Sequence, residues 1–299
     1  MTAATQEKNT WFKGWGLPAL LLAPQLVIVI VFFYWPSIQA IVSSFFLEDA
    51  FGQGAEFVGL ENFERLFADA DYANAFLITV IFSALVTMIG LSISLILAWF
   101  ADRAIKARYV FRTVLIIPYA VSAAVAAVLW VFLFAPSVGV LAHVLIHWGL
   151  DWNYLVNPNH AMALIVIAAV WKQISYNFIF FLAGLQAIPR SMFEASAMDG
   201  AGPFKTFFHV TLPLLSPTAF FLLVVNVVYA FFDTFGIIDA STSGGPGRST
   251  SILVYKVYHD GFKSLDLGSS SAQSVMLMIL VIVLTVIQFR FIERRVHYG

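Results

Sequence analysis

The chain has 299 residues, of which 61% are hydrophobic and 11% charged, with a mean hydropathy of +0.87 and a formal net charge of -1. Charged residues make up about a quarter of a soluble domain, so this composition is that of an integral membrane protein and excludes a soluble one. The near-neutral charge argues against a nucleic-acid surface, and the absence of cysteine excludes disulfides, thiolate metal sites and thiol nucleophiles.

Crossing a hydrocarbon core takes about 20 apolar residues. Six stretches qualify: residues 17–40, 73–101, 110–135, 161–187, 218–240 and 272–292. The first exceeds the apolar region of a signal peptide and continues into Tyr34-Trp35-Pro36, which predicts an uncleaved span. With no internal repeat and no linker, the expectation is a single transmembrane domain over residues 1–299, an all-α bundle of six spans. Trp11, Trp15, Trp35, Trp148 and Trp152 fall near predicted span ends and read as interfacial anchors.

Basic residues set the orientation, because cytoplasmic loops hold the excess of Lys and Arg. Lys8, Lys13, Arg103, Lys106, Arg108, Arg112, Arg190, Lys205, Arg290, Arg294 and Arg295 on one side outnumber Arg65, Arg248, Lys256 and Lys263 on the other. Both termini and the loop at residues 188–217 are therefore expected in the cytoplasm. The loop after the first span faces outward, with Glu48, Asp49, Glu56, Glu61, Glu64, Asp69 and Asp71 against Arg65.

After the third span, residues 138–152 read as a short amphipathic helix at the outer interface. His143 and His147 share one face of it, but with no third ligand in sight they read as interfacial polar residues rather than a metal site.

The fourth span carries a charge where one is expensive, Lys172, with Gln173, Ser175, Tyr176 and Asn177 beside it; the fifth carries Asn226, Tyr229, Asp233 and Thr234. Two readings stand. In one, Lys172 provides positive potential for a phosphate in a translocation pathway, with Gln173, Asn177, Asn226 and Tyr229 donating hydrogen bonds. In the other, Lys172 pairs with Asp233 and the belt is polar glue between helices.

The loop at 188–217 is built more deliberately than a connector needs to be. Pro189 disfavours helix before it, and Ser191 with Glu194 has capping-box spacing for a short new helix. That helix is expected to stop at Gly200-Ala201-Gly202, with Pro203 opening a second one striped by Phe204, Phe207, Phe208 and Leu212. The later Gly244-Gly245-Pro246-Gly247-Arg248 loop is no phosphate-binding loop, since Gly-Lys occurs nowhere in the chain. ATP-driven transport would therefore need a separate subunit to hydrolyse the nucleotide.

Glu194-Ala195-Ser196, three residues, Gly200, nine residues, then Val210-Thr211-Leu212-Pro213 resembles the Glu-Ala-Ala loop of ABC importer permeases, departing at Ser196 for alanine and Val210 for isoleucine. Leu22-Ala23-Pro24-Gln25, residues 57–63 and Thr242-Ser243-Gly244-Gly245-Pro246 resemble the carbohydrate-uptake group of that family. Residues 170–178, 226–235 and 265–274 are similar to its importers of sn-glycerol-3-phosphate and glycerophosphodiesters. The resemblance implies a type I importer bundle with no cofactor of its own. It also implies a second homologous permease, two copies of a cytoplasmic ATPase and a periplasmic binding protein as partners. By the same resemblance, Glu194, Ala195, Gly200, Leu212 and Pro213 contact the ATPase, and Gly244, Gly245 and Pro246 lie near the binding protein. A permease for another sugar or polyol would share the loop, whereas an ion-driven carrier would need no ATPase.

Overall fold

The computed structural model describes residues 16–48, 54–103 and 108–292. Trp11, Trp15, Lys8, Lys13, Asp49, Lys106, Arg294 and Arg295 lie outside them. Five helices are long and apolar enough to cross a membrane: Gly16–Ser43, Ala70–Arg103, Pro158–Ala187, Ser216–Asp233 and Leu267–Arg290. They are spans one, two, four, five and six.

The third candidate is broken, which corrects the straight helix expected over 110–135. Its halves, Arg112–Ala120 and Ala123–Phe134, meet at 108°. Proline has no N–H to give to a helix, and Pro118 sits in a tight 3-10 turn, Ile117–Ala120. Val121 and Ser122 are then extended, and the Ser122 hydroxyl caps the second half by accepting from the Val125 N–H at 3.3 Å.

Span five departs too. Expected as one helix to residue 240, it widens into a π-type turn at Tyr229–Asp233, and a separate helix follows at Phe235–Ser241. A hairpin of Phe46–Glu48 against Ala55–Phe57, with Phe46 opposite Phe57, interrupts the otherwise helical fold. Asn62 holds it in place by donating to the carbonyls of Ser44 at 3.0 Å and Phe46 at 2.9 Å.

Spans two and four form the spine of the bundle. Phe82 and Val86 of one bury against Ile165, Ala168 and Ala169 of the other. Nearer the 188–217 loop, Ala98 packs with Phe178, Phe181 and Leu182. Small residues at such a seam let backbones approach, which matters where lipid removes the hydrophobic drive between helices. Span one buries no residue against the rest, and only its second half lies along span six.

Of the tryptophans read as anchors, Trp35 and Trp148 are exposed, but Trp152 is not. It lies inside the protein, donating to the Phe134 carbonyl at 3.0 Å and stacking on His160 with ring centres 4.8 Å apart. His143, on the helix Val140–His147, turns its Nδ1 to the Gly139 carbonyl at 2.8 Å.

Span four meets the start of span five tightly at Gly184, where an added Cβ would lie 2.7 Å from Leu215 Cδ1 and 2.8 Å from Thr218 Oγ1. Gly184→Val is therefore expected to destabilise the purified protein by about 1–3 kcal/mol, the usual cost of overpacking. An unchanged melting temperature in detergent would exclude this contact.

Candidate functional site

Span four is started by its own sequence. The Asn157 side-chain carbonyl accepts from the N–H groups of Asn159 at 2.9 Å and His160 at 3.4 Å, and Pro158 fills the first helical position. Midway along this helix, Lys172, Gln173 and Tyr176 open onto a cavity of about 390 Å³. Tyr119 from the tight turn of span three and Val225, Tyr229 and Asp233 from span five complete its lining. Of the residues expected in a pathway, the structure thus gathers Lys172, Gln173, Tyr229 and Asp233 around one space.

Lys172 does not form the ion pair with Asp233 that one reading required. Its ammonium donates to the Val121 carbonyl at 2.9 Å, at the extended break in span three. A cation in mid-span costs about 2.5–3.5 kcal/mol on insertion scales, so a carbonyl released from helical bonding is a fitting acceptor. The Tyr229 hydroxyl donates to the Ala169 carbonyl at 3.2 Å. Gln173 is 7% exposed, lines the cavity and bonds to no described residue.

Asn177 and Asn226 are placed elsewhere. Both are fully buried and clasp each other, with Asn177 Nδ2 to Asn226 Oδ1 at 3.0 Å and Asn226 Nδ2 to Asn177 Oδ1 at 2.7 Å. Asn226 Nδ2 also donates to the Leu222 carbonyl at 2.7 Å. The two amides join spans four and five behind the cavity and do not line it.

In the 188–217 loop, a helix spans Arg190–Met198, and no side chain caps it at Pro189. The capping box expected of Ser191 and Glu194 is therefore absent, because the helix begins one residue ahead of Ser191, which stands inside its first turn. The stop is as expected: Gly200 adopts φ +70°, left-handed backbone that favours glycine, and Pro203 opens the second helix, Pro203–Thr206. Glu194, Ala195 and Gly200 are exposed, whereas Leu212 and Pro213 are half-buried where the loop runs into span five. The Ser196 hydroxyl bonds that of Thr206 at 2.8 Å, fastening the two helices together. Around the exposed face stand Met192, Met198, Phe204 and Phe208, all uncovered.

At the opposite end, the loop holding Gly244, Gly245 and Pro246 ties to itself. Thr250 Oγ1 donates to the Gly245 carbonyl at 2.8 Å, and the Ser249 N–H to that of Pro246 at 3.0 Å. Arg248 pairs with Asp71, and next to them lies a cluster that sequence reading missed. Buried Lys256 reaches Asp69 at 3.0 Å and Asp260 at 2.8 Å, and Gln273 of span six donates to Asp260 at 2.7 Å. Burial pulls the Lys256 ammonium down, but its hydrogen bonds to Asp260 and Asp69 outweigh this and leave its pKa above the usual value. Burial pushes the Asp260 carboxyl up, yet hydrogen bonds from Lys256 and Gln273 hold it below its usual value. The spacing of Lys256 and Asp260, four apart, was the one available signal.

The family described as binding-protein-dependent transport system inner membrane component matches residues 90–298. The chain is 57% identical over 283 residues to the sn-glycerol-3-phosphate transport system permease protein UgpA of Rhizobium meliloti (strain 1021), covering 95% of this chain and 97% of that one. It is likewise 57% identical over 282 residues to the UgpA of Yersinia pseudotuberculosis serotype I (strain IP32953), covering 94% and 96%. Among solved structures, a chain of a bacterial ABC transporter that imports the acidic polysaccharide alginate shares the fold, with TM-score 0.80, 24% identity and coverage of 94% and 96%. The alginate transporter in complex with its pentasaccharide-bound periplasmic protein matches with TM-score 0.79 and 24% identity, covering 93% and 95%.

Two consequences are measurable. Asn226→Leu strands the Asn177 amide and is expected to cost about 1–3 kcal/mol, whereas the double change to Leu at both positions recovers part of that loss. Equal destabilisation by the single and double changes, read by thermal unfolding, would refute the clasp. For the cluster, the depressed Asp260 pKa gives stability that is full above its ordinary 3.8 and is lost as pH falls through the lower folded value. The raised Lys256 pKa gives stability full below 10.5 and lost as pH rises through the higher folded value. Asp260→Asn should therefore flatten the acid limb of a stability–pH curve, and an unaltered limb would remove the cluster from the account.

Proposed function

The chain belongs to the binding-protein-dependent transport system inner membrane components, and from that membership we propose that it is one permease subunit of an ATP-driven importer of sn-glycerol-3-phosphate and glycerophosphodiesters. It is a multi-pass transport component and not an enzyme. The observation that carries the substrate is the near full-length identity of 57% to permeases of that name. In this reading residues 1–299 form one permease domain, half of a translocation pathway completed by a second, similar permease.

Two copies of a cytoplasmic ATPase drive the pair, and a periplasmic protein delivers the cargo. Both termini and the 188–217 loop face the cytoplasm, following the excess of Lys and Arg there. Glu194, Ala195 and Gly200 present the contact face, and the uncovered Met192, Met198, Phe204 and Phe208 supply the apolar area that a partner's groove would bury. Leu212 and Pro213, where the loop enters span five, carry the push into the bundle. The loop of Gly244, Gly245 and Pro246 lies toward the binding protein on the other side, with Gly244 buried beneath the half-buried Gly245 and Pro246. ATP binding then draws the ATPase copies together, moves the loop and exchanges which side of the membrane the cavity opens to.

The reading is tested by co-expressing the chain with its neighbouring permease, ATPase and binding protein and reconstituting the complex in proteoliposomes. Labelled sn-glycerol-3-phosphate should accumulate only with ATP and binding protein present. Accumulation by the chain alone, or in response to an ion gradient, would overturn it. Gly200→Val forces a branched side chain into left-handed backbone, a strain of about 1–2 kcal/mol, and should cut binding-protein-stimulated ATP hydrolysis about tenfold.

A further inference from the structure

We infer that the cavity between spans three, four and five is a transit subsite for a polyol phosphate, in which Lys172 and Gln173 take the phosphate and Asp233 takes the hydroxyl end. This rests on the reading of the chain as a permease for a phosphorylated polyol.

Gln173 points to a ligand most directly. Its side chain is more than nine-tenths buried, lines the cavity and has no hydrogen-bond partner among the described residues. Its amide is reached from the cavity rather than sealed in the core, so it is free to bond a group that enters there. Among the described residues its neighbour Lys172 is held by a neutral acceptor alone, the Val121 carbonyl at 2.9 Å, although Asp233 lines the same space. A charge-assisted bond to a phosphate oxygen is roughly twice as strong as a neutral one. An arriving phosphate therefore draws the ammonium off the carbonyl, and Gln173 Nε2 donates to a second phosphate oxygen.

The Val121 carbonyl is available because the chain is extended there, at the 108° break in span three. Cargo binding thus releases a tether on that break, so that occupancy of the cavity is felt by span three. Asp233 repels phosphate and accepts hydrogen bonds from hydroxyls, which fixes the orientation of the cargo and keeps its stay short. Tyr119 and Tyr176, stacked with ring centres 6.3 Å apart, wall one side. The volume of about 390 Å³ falls in the range of small-molecule sites.

The test uses the complete reconstituted complex and reads two quantities from each preparation: uptake of labelled sn-glycerol-3-phosphate, and ATP hydrolysis stimulated by the loaded binding protein. Lys172→Gln is expected to lower uptake about tenfold to a hundredfold, the effect of one lost charged hydrogen bond, with ATPase stimulation held within about twofold. Lys172→Arg should retain most uptake, and Gln173→Leu should lower it about threefold to tenfold. Wild-type uptake by both Lys172→Gln and Gln173→Leu overturns the inference. So does parallel loss of uptake and stimulation in Lys172→Gln, which assigns the lysine to holding the break. Where a Lys172 variant fails to assemble, Gln173→Leu decides, because its amide has no partner to lose among the described residues. A wild-type complex that does not import the compound overturns the proposed function instead, before any variant is compared.

Discussion

Inside a hydrocarbon layer no water is at hand to take up a stray hydrogen bond, so a polar group along a span gains most by finding a partner within the protein. The centre of this bundle follows from that constraint. Asn177 and Asn226 exchange two hydrogen bonds, the Tyr229 hydroxyl reaches the Ala169 carbonyl, and Ser94 of span two donates to the Ile174 carbonyl at 3.3 Å. Each such contact is worth only about 0.6 kcal/mol on average between membrane helices. Their value lies in direction: apolar faces slide in lipid, whereas paired amides fix one register.

The break in span three is the other outcome of the same constraint. Opening a helix in mid-membrane frees carbonyls and N–H groups, and here both kinds are met. The Ser122 hydroxyl takes the Val125 N–H, and Lys172 donates to the Val121 carbonyl. One irregular turn thereby accommodates a half-buried charge beside the cavity. At the loop end, side chains carry the continuity instead. Trp99 of span two packs against Phe204 and Phe207, and the Arg103 guanidinium lies 4.1 Å over its ring. The loop is thereby joined to spans two and five together, to span two through Trp99 and to span five through Leu212 and Pro213.

Hydropathy alone located the spans, because about 20 consecutive apolar residues have few other uses. The loop was legible at Gly200 and Pro203, where one backbone conformation suits one residue type. The break in span three was not read, although Pro118 followed by Ser122 ahead of an alanine run is a stop and a start in sequence. Uniform hydrophobicity on both sides masked it. Nor does a sequence say which polar residue meets which. Asn177 and Lys172 read alike as belt residues, yet they are five apart on a helix and so point to different neighbours, one to Asn226 and the other to Val121. Trp152 misled for a related reason: an aromatic in a loop reads as an anchor until a carbonyl such as that of Phe134 is found waiting for its N–H.

The two ends of the molecule are held by different physics, and this divides their roles. Asp69 at the head of span two, Lys256, Asp260 and Gln273 of span six are joined by charge and hydrogen bonds, which resist shear because Lys256 bridges both carboxylates and Asp260 also takes the Gln273 amide. The loop end is apolar and leaves Met198 and Phe204 uncovered, a surface whose energy depends on what covers it. A partner acting there does its work against weak, non-directional contacts, while the far end keeps its geometry. Between them lies the cavity at which we place the cargo contacts, since the loop pattern would serve any permease driven the same way. On the proposed reading, power enters through residues that say nothing of the substrate, and selection within this chain falls to the few side chains that line the cavity with Lys172.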